Sequence, residues 1–326
     1  MIDLSPIGIK ILSRLGSRGA FGAAAIELIE NNDKILMLTP DLCTFSGLDR
    51  FKSVYPNKLY NFGIAEQNIV GVAAGLASEG FIPFVSFYAT FAALRSADQV
   101  KVNMGYMKLP VKLVGMAAGY SYGFLGATHM ALEDISVMRS IPNITILSPS
   151  DNLSVIKATI AASQVDAPVY LRLGGTASGP DPIIYKSDFD FEIGKAIELK
   201  SGLDISIIAT GGMVYNALKA SELLEECGIS VSVVDMHTIK PLDIEAIKKA
   251  CDTKLIVSIE EHSKIGGLGG AIAETLSAKI TKPPLLILGT DDCYPHAASR
   301  DDLLDSSGLS VEKIYYKILE FYKEIK

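Results

Sequence analysis

The chain has 326 residues, 49% hydrophobic and 21% charged, with 28 Gly and 14 Pro. That is enough for about two domains of the usual ~150 residues, and it excludes a disordered, collagenous or low-complexity chain. Its 30 basic and 37 acidic residues give a formal net charge of −7, and no basic cluster is longer than two or three residues, so a nucleic-acid binder's footprint is missing. Mean hydropathy is +0.31. Even so, the longest apolar stretch, Ile69 to Leu94, is interrupted by Glu79 and Pro83, leaving no uncharged ~20-residue span for a bilayer. The excess apolarity reads as buried sheet and subunit interface.

In chain order, helix is predicted over Ala20–Glu30, strand over Lys34–Leu38, helix over Gln67–Ser78, and strands over Ile82–Tyr88 and Val111–Met116. Then come helix Ala131–Ser140, strand Ile144–Leu147, helix Leu153–Ser163 with Ser150 and Asp151 as start signals, and strand Val169–Leu173. From Gly174 to Asp190 the segment GGTASGPDPIIYKSDFD has turn residues and no helical period, and reads as a linker. Beyond it the alternation restarts. Strands are expected at Ile205–Ala209, Val231–Asp235, Leu255–Ile259 and Leu285–Leu288, and helices at Tyr215–Cys227, Leu242–Ala250 and Leu268–Ala278. Apolar strands alternating with helices imply an α/β fold of two domains, each with a mainly parallel sheet flanked by helices. The division expected is 1–175, a linker over 176–195, and 196–326. The N-terminal MIDLSPIGIK lacks a basic segment followed by an apolar one, and the four cysteines are scattered without CxxC. Both features suit a cytoplasmic protein with free thiols.

Few residues stand out for chemistry. His129 lies in GFLGATHMALED, a Gly-rich loop between a strand and a helix, where open parallel sheets bind ligands. His237 and His262 read as structural, and none of the histidines has a partner at metal-ligand spacing. GGLGG at Gly266–Gly270 opens a helix but lacks the full nucleotide fingerprint, so a tight turn is expected. The most informative segment is NFGIAEQNIVGVAAGLA, in which Glu66 heads a helix of small and apolar residues. A buried carboxylate there needs a strong partner or a raised pKa, with a helix-dipole role as the alternative. The small residues Gly71, Ala73, Ala74, Gly75 and Ala77 allow close approach of another helix.

The segments NFGIAEQN, FIPFVSFYATF, KLPVKLVG and GATHMALEDISVMRSIPNITILSPSD follow the order of the pyrimidine-binding domain of thiamine-diphosphate enzymes, closest to transketolases. SIIATGG, VDMHTIKPLD and EEHSKIGGLGG resemble the C-terminal domain that accompanies it. The family's metal- and diphosphate-holding GDG…N motif is missing. The chain therefore resembles the C-terminal subunit of a split transketolase. The resemblance implies thiamine diphosphate as cofactor, with Mg²⁺ held by an N-terminal partner subunit carrying GDG…N. It also implies a homodimer through the pyrimidine-binding domain in an α2β2 assembly, and a sugar substrate.

Residue by residue, Glu66 matches the glutamate that faces the aminopyrimidine and favours its imino tautomer. Phe91 matches an aromatic of that pocket, and Asp41 an acidic residue near the cofactor. Arg18 and Arg172 match two arginines that bind the sugar phosphate, and His129 the substrate-facing histidine. Leu94 and Ala97 stand where aromatics are usual, Ala117 where a histidine contacts phosphate, and Leu125 where an aspartate reads an acceptor hydroxyl. These departures point to a deoxy, branched or otherwise modified sugar. The alternatives at this level are a β-like subunit of a 2-oxo-acid dehydrogenase, a deoxyxylulose-phosphate-synthase-like acyloin enzyme, and a non-catalytic assembly subunit.

Overall fold

Two sheets organise the protein, whose computed structural model describes residues 2–175 and 180–325. The first contains β1 (Ile35–Thr39), β2 (Leu59–Asn61), β3 (Ile82–Tyr88), β4 (Lys112–Met116), β5 (Thr145–Leu147) and β6 (Val169–Leu173). The second half supplies β7 (Ile197–Lys200), β8 (Ile205–Ala209), β9 (Val231–Asp235), β10 (Thr238–Lys240), β11 (Leu255–Ser263) and β12 (Leu285–Thr290). The first sheet runs β10-β5-β6-β4-β3-β1-β2 and the second β12-β11-β8-β9-β7. All pairings are parallel except β10 on β5 and β7 on β9.

The apolar runs become strands because both faces are covered. Every residue of β1, β4, β6, β8 and β9 is buried, so polar alternation would leave side chains without water. On one face of the first sheet, the Gly16–Asn31 helix packs on the Asn152–Gln164 helix, joining Phe21, Ala25, Val155 and Ala158 to Met37 and Phe84. The other face takes Ile69, Val70, Ala73 and Ala74 of the Glu66–Ser78 helix against Leu36, Leu38 and Val85. The Asn152–Gln164 helix begins in a capping box. Asp151 Oδ1 accepts from Ser154 N at 2.8 Å, and Asp151 N donates to Ser154 Oγ at 2.9 Å.

The structure adds elements that the pattern did not announce. They include β2, β7, β10, a helical stretch over 91–106 made largely of π-turns, and helices Pro6–Ser13, Asp49–Val54, Arg300–Ser306 and Val311–Glu324. Among the strand pairings of the described residues, one joins the two halves: β10 from the second half extends the first sheet. The linker expected over 176–195 lies partly, at 176–179, outside the described residues. Among the described residues no helix is long and apolar enough to cross a membrane.

Candidate functional site

Strands β4, β3, β1 and β2 are consecutive neighbours and all parallel, so the segments leaving their C-terminal ends emerge along one edge. Phe45 follows β1, Glu66 follows β2, Tyr88 ends β3, Phe91 and Arg95 follow it, and Tyr122 and His129 follow β4. Arg18 joins them from the first turn of the Gly16–Asn31 helix. This is the edge where open α/β sheets place ligands.

Glu66 is the first residue of its helix and only 4% exposed. Its Oε1 accepts from Arg95 Nη1 at 2.5 Å, so the buried carboxylate has the strong partner its position demands. The same guanidinium lies 3.9 Å from the centroid of Phe91. A planar group carrying N–H donors is thus stacked on Phe91 and bonded to Glu66. This donor set fits an aminopyrimidine ring, which is flat and offers N–H to a carboxylate.

An aromatic cluster continues from Phe91. The His129 ring is edge-on to Phe91 (5.5 Å) and to Tyr88 (5.2 Å), and Tyr88 reaches Phe45 (4.1 Å) and Tyr122 (5.9 Å). Arg18 sits 5.4 Å from the Phe45 centroid and 6.0 Å from that of Tyr122, and its Nη1 donates to Phe45 O at 3.3 Å. Burial, with Tyr122 nearby, pushes the Tyr88 phenol above its ordinary range, opposed by Arg18. His129 itself is half-buried, with Nδ1 3.0 Å from Thr128 Oγ1. Glu66, Phe91, His129 and Arg18 are therefore brought together. Arg95, Tyr88, Phe45 and Tyr122 join them without having been singled out from sequence. Tyr88 had a signal, since it opens the same YATF segment as Phe91.

Two residues make their hydrogen bonds outside this cluster. Asp41 is exposed, at φ +63°, and is tied to the end of β2. Its Oδ1 accepts from Asn61 Nδ2 and its N–H donates to Asn61 Oδ1, both at 2.9 Å. Asn61 Oδ1 also accepts from Gly63 N, so the pair shapes the turn leading to Glu66. The expectation that Arg172 joins Arg18 at a substrate phosphate is not met by its placement. Arg172 is 4% exposed; its Nε donates to Asp134 Oδ2 at 2.8 Å, and its Nη2 to the carbonyls of Ala131 (3.2 Å) and Glu261 (3.0 Å). A buried guanidinium must find its acceptors within the protein, and Nε and Nη2 of Arg172 do.

The other sequence features resolve as structure. At GGLGG, the N–H groups of Leu268 and Gly269 donate to the buried Glu260 carboxylate at 2.6 and 2.8 Å. A Cβ on Gly267 would overlap Glu260 Oε2, so the glycine there makes room for a protein carboxylate. Burial raises Glu260 to about 7. His262 and His237 are buried and lowered to about 4 by desolvation, the latter stacked on Phe191. Among the described residues no three His, Cys, Asp or Glu side chains form a metal-holding group.

Residues 14–177 match the family described as transketolase, pyrimidine binding domain, and residues 194–314 match the transketolase C-terminal domain. The chain is 39% identical over 312 residues to one of the subunits of an apulose-4-phosphate transketolase of Phocaeicola vulgatus, covering 95% of this chain and 98% of that protein. It is likewise 39% identical over 290 residues to a 6-deoxy-6-sulfo-D-fructose transketolase subunit of a Clostridium species, covering 89% of each. A solved structure described as a split gene transketolase, inactive beta4 tetramer, superposes with TM-score 0.85 at 36% identity, covering 95% of this chain and 99% of that one.

Proposed function

The chain belongs to the transketolase family, and on that premise we propose that it is the C-terminal subunit of a two-chain, thiamine-diphosphate-dependent transketolase. The reaction is transfer of a two-carbon ketol unit from a ketose to an aldose acceptor. The observation that carries this reading is the buried Glu66 carboxylate beside Phe91, with a planar N–H donor already stacked between them. A purely structural subunit has no need of a carboxylate there.

Thiamine diphosphate, when bound, would supply the acidic ring carbon that ketol transfer requires. Glu66 holds the N–H of its pyrimidine ring and shares a proton with it, which a carboxylate shielded from water does well. Phe91 and Tyr88 form the apolar wall that keeps water away. His129, half-buried against that wall, holds a proton on a substrate oxygen. Arg18 is the cation that receives the anionic end of the sugar, for which a planar guanidinium suits tetrahedral oxyanions. The two relatives are named for a sugar phosphate and a sulfo-sugar, and both groups are tetrahedral anions. With Ala117 buried and Leu125 apolar at the rim, fewer polar groups remain to read sugar hydroxyls. This supports a modified sugar bearing a terminal anion.

Mg²⁺ and the diphosphate belong to an N-terminal partner subunit that carries GDG…N. The outer face of the Glu66–Ser78 helix presents Gly71 and Gly75, where an added Cβ would meet nothing within 4 Å. The adjoining stretch exposes Leu94, Val102 and Tyr106. This face suits a second copy of the chain, giving a homodimeric core flanked by two partners in a cytoplasmic α2β2 enzyme. Calorimetry tests the reading. The isolated chain should bind thiamine diphosphate weakly or not at all, because the diphosphate charge lacks its metal. Adding the partner that carries GDG…N should bring tight, Mg²⁺-dependent binding and ketol transfer together. Tight binding and full turnover by this chain alone would refute it.

A further inference from the structure

The loop that carries Tyr122 and His129 is closed at its neck by two backbone bonds, Gly119 N to Ala131 O (3.0 Å) and Ala131 N to Gly119 O (3.1 Å). Between these residues its backbone bonds are local turns, such as His129 N to Gly126 O at 3.0 Å. The His129 side chain bonds Thr128 of the same loop. Where His129 lies relative to Phe91 and Tyr88 is therefore decided at the neck, and the neck is gripped from the other domain.

Glu261, at the C-terminal part of β11, is 5% exposed. Its Oε1 accepts from Tyr120 N at 2.7 Å, and its backbone carbonyl shares Arg172 Nη2 with that of Ala131. Gly119 approaches so closely that a Cβ there would stand 2.6 Å from Glu261 Oε1. Arg300 holds the same carboxylate in a fork, Nε to Oε1 at 3.1 Å and Nη2 to Oε2 at 2.6 Å. The helix it opens backs the loop directly, since a Cβ on Gly123 would overlap Leu303 Cδ1. Farther along, Ser307 Oγ lies 2.8 Å from the buried Tyr120 hydroxyl.

We propose that Glu261 and Arg300 are positioning residues, through which the second domain sets the place of His129 against the aromatic wall of the first. The proposal rests on the functional reading above for its catalytic consequence, while the grip on the loop is independent of that reading. A bidentate carboxylate–guanidinium pair fixes both distance and plane, and a site loosened by ~1 Å loses rate steeply.

The test uses the full chain reconstituted with its N-terminal partner. Glu261→Gln keeps the shape and the acceptor but breaks the charged fork. It should lower kcat/KM for the sugar substrates about 10- to 100-fold while leaving thiamine-diphosphate affinity within about twofold, because Glu66 and Phe91 are untouched. In a His129→Ala background the same change should cost less than about twofold, since a residue acting through His129 has nothing left to position. A ¹⁹F label on the Tyr122 ring reads the loop without any activity and should shift or broaden in Glu261→Gln. If that variant does not fold, Arg300→Lys, which keeps the charge and loses the fork, is read by the same signal. An unmoved ¹⁹F resonance, or an equal loss in the His129→Ala background, overturns the proposal. If the wild-type complex transfers no ketol unit, the functional reading fails and the label still decides the positioning.

Discussion

Glu66 Oε1 and Arg95 Nη1 lie 2.5 Å apart, although the carboxylate side chain is 5% exposed and the arginine 44%. A side chain with nearly half its surface in water thus reaches inward to neutralise a buried charge, and sits over the Phe91 ring as it does so. On the proposed function, this is the face of Phe91 on which an aminopyrimidine would stack. Cofactor entry would then displace Arg95, and Arg95→Met should tighten thiamine-diphosphate binding by the complex. An ion pair with one exposed partner is worth about 1 kcal/mol, or about fivefold in Kd. Weaker binding by the variant in calorimetry would instead place Arg95 among the cofactor's own contacts.

Removal of the carboxylate should act differently. Glu66→Ala is expected to preserve the fold, because the helix it heads is anchored by Ile69, Val70, Ala73 and Ala74. It should abolish most ketol transfer and slow exchange of the cofactor ring-carbon proton. The two assays run side by side on the reconstituted complex, and wild-type rates in both would remove Glu66 from the mechanism.

Much of this was legible because burial on both faces writes itself into composition. β3, β6, β8 and β9 appear as apolar runs with the bounds expected for them. β2 and β10, three residues each, do not. Their strand character comes from partners distant in the chain, Thr238 on Leu147 for example, and no local period records that. The stretch over 91–106 escaped because π-turns break the 3.6-residue rhythm. At the site, Glu66 was visible as a charge among small apolar residues, whereas nothing local marks Arg95 as the arginine that turns inward. Arg172 shows the opposite failure. Its motif identifies a guanidinium at a strand end, but its role depends on Asp134, 38 residues earlier, and on Glu261, 89 residues later.

That difference separates the two arginines experimentally. Arg18→Ala should raise KM for sugars ending in a phosphate or similar anion by roughly 10- to 150-fold, from loss of a charge-assisted contact of ~1.5–3 kcal/mol, and spare uncharged analogues. Arg172→Ala should instead destabilise the fold by about 3–5 kcal/mol, since it strands the buried Asp134 carboxylate. Denaturant unfolding and steady-state kinetics on both variants decide it. A substrate-selective KM effect at Arg172 with unchanged stability would restore it to the phosphate site.

Asp235 offers a test in the second domain that needs no partner. It is fully buried, Oδ2 accepting from Ser150 Oγ (2.6 Å) and the Tyr185 hydroxyl (2.7 Å), while Oδ1 has no partner. Desolvation raises its pKa to about 7, outweighing these two hydrogen bonds. Between the unfolded value of about 4 and the folded value, the native state keeps a proton that the unfolded chain has released. The stability this group contributes is therefore fully present below pH 4, falls as pH rises toward 7, and is lost above it. Asp235→Asn removes the titration and keeps an acceptor for both hydroxyls. Relative to wild type, the variant should gain roughly 1–4 kcal/mol between pH 4 and pH 8. Denaturant midpoints for both proteins across that range measure it, and parallel pH profiles would mean that Asp235 stays ionised in the native state.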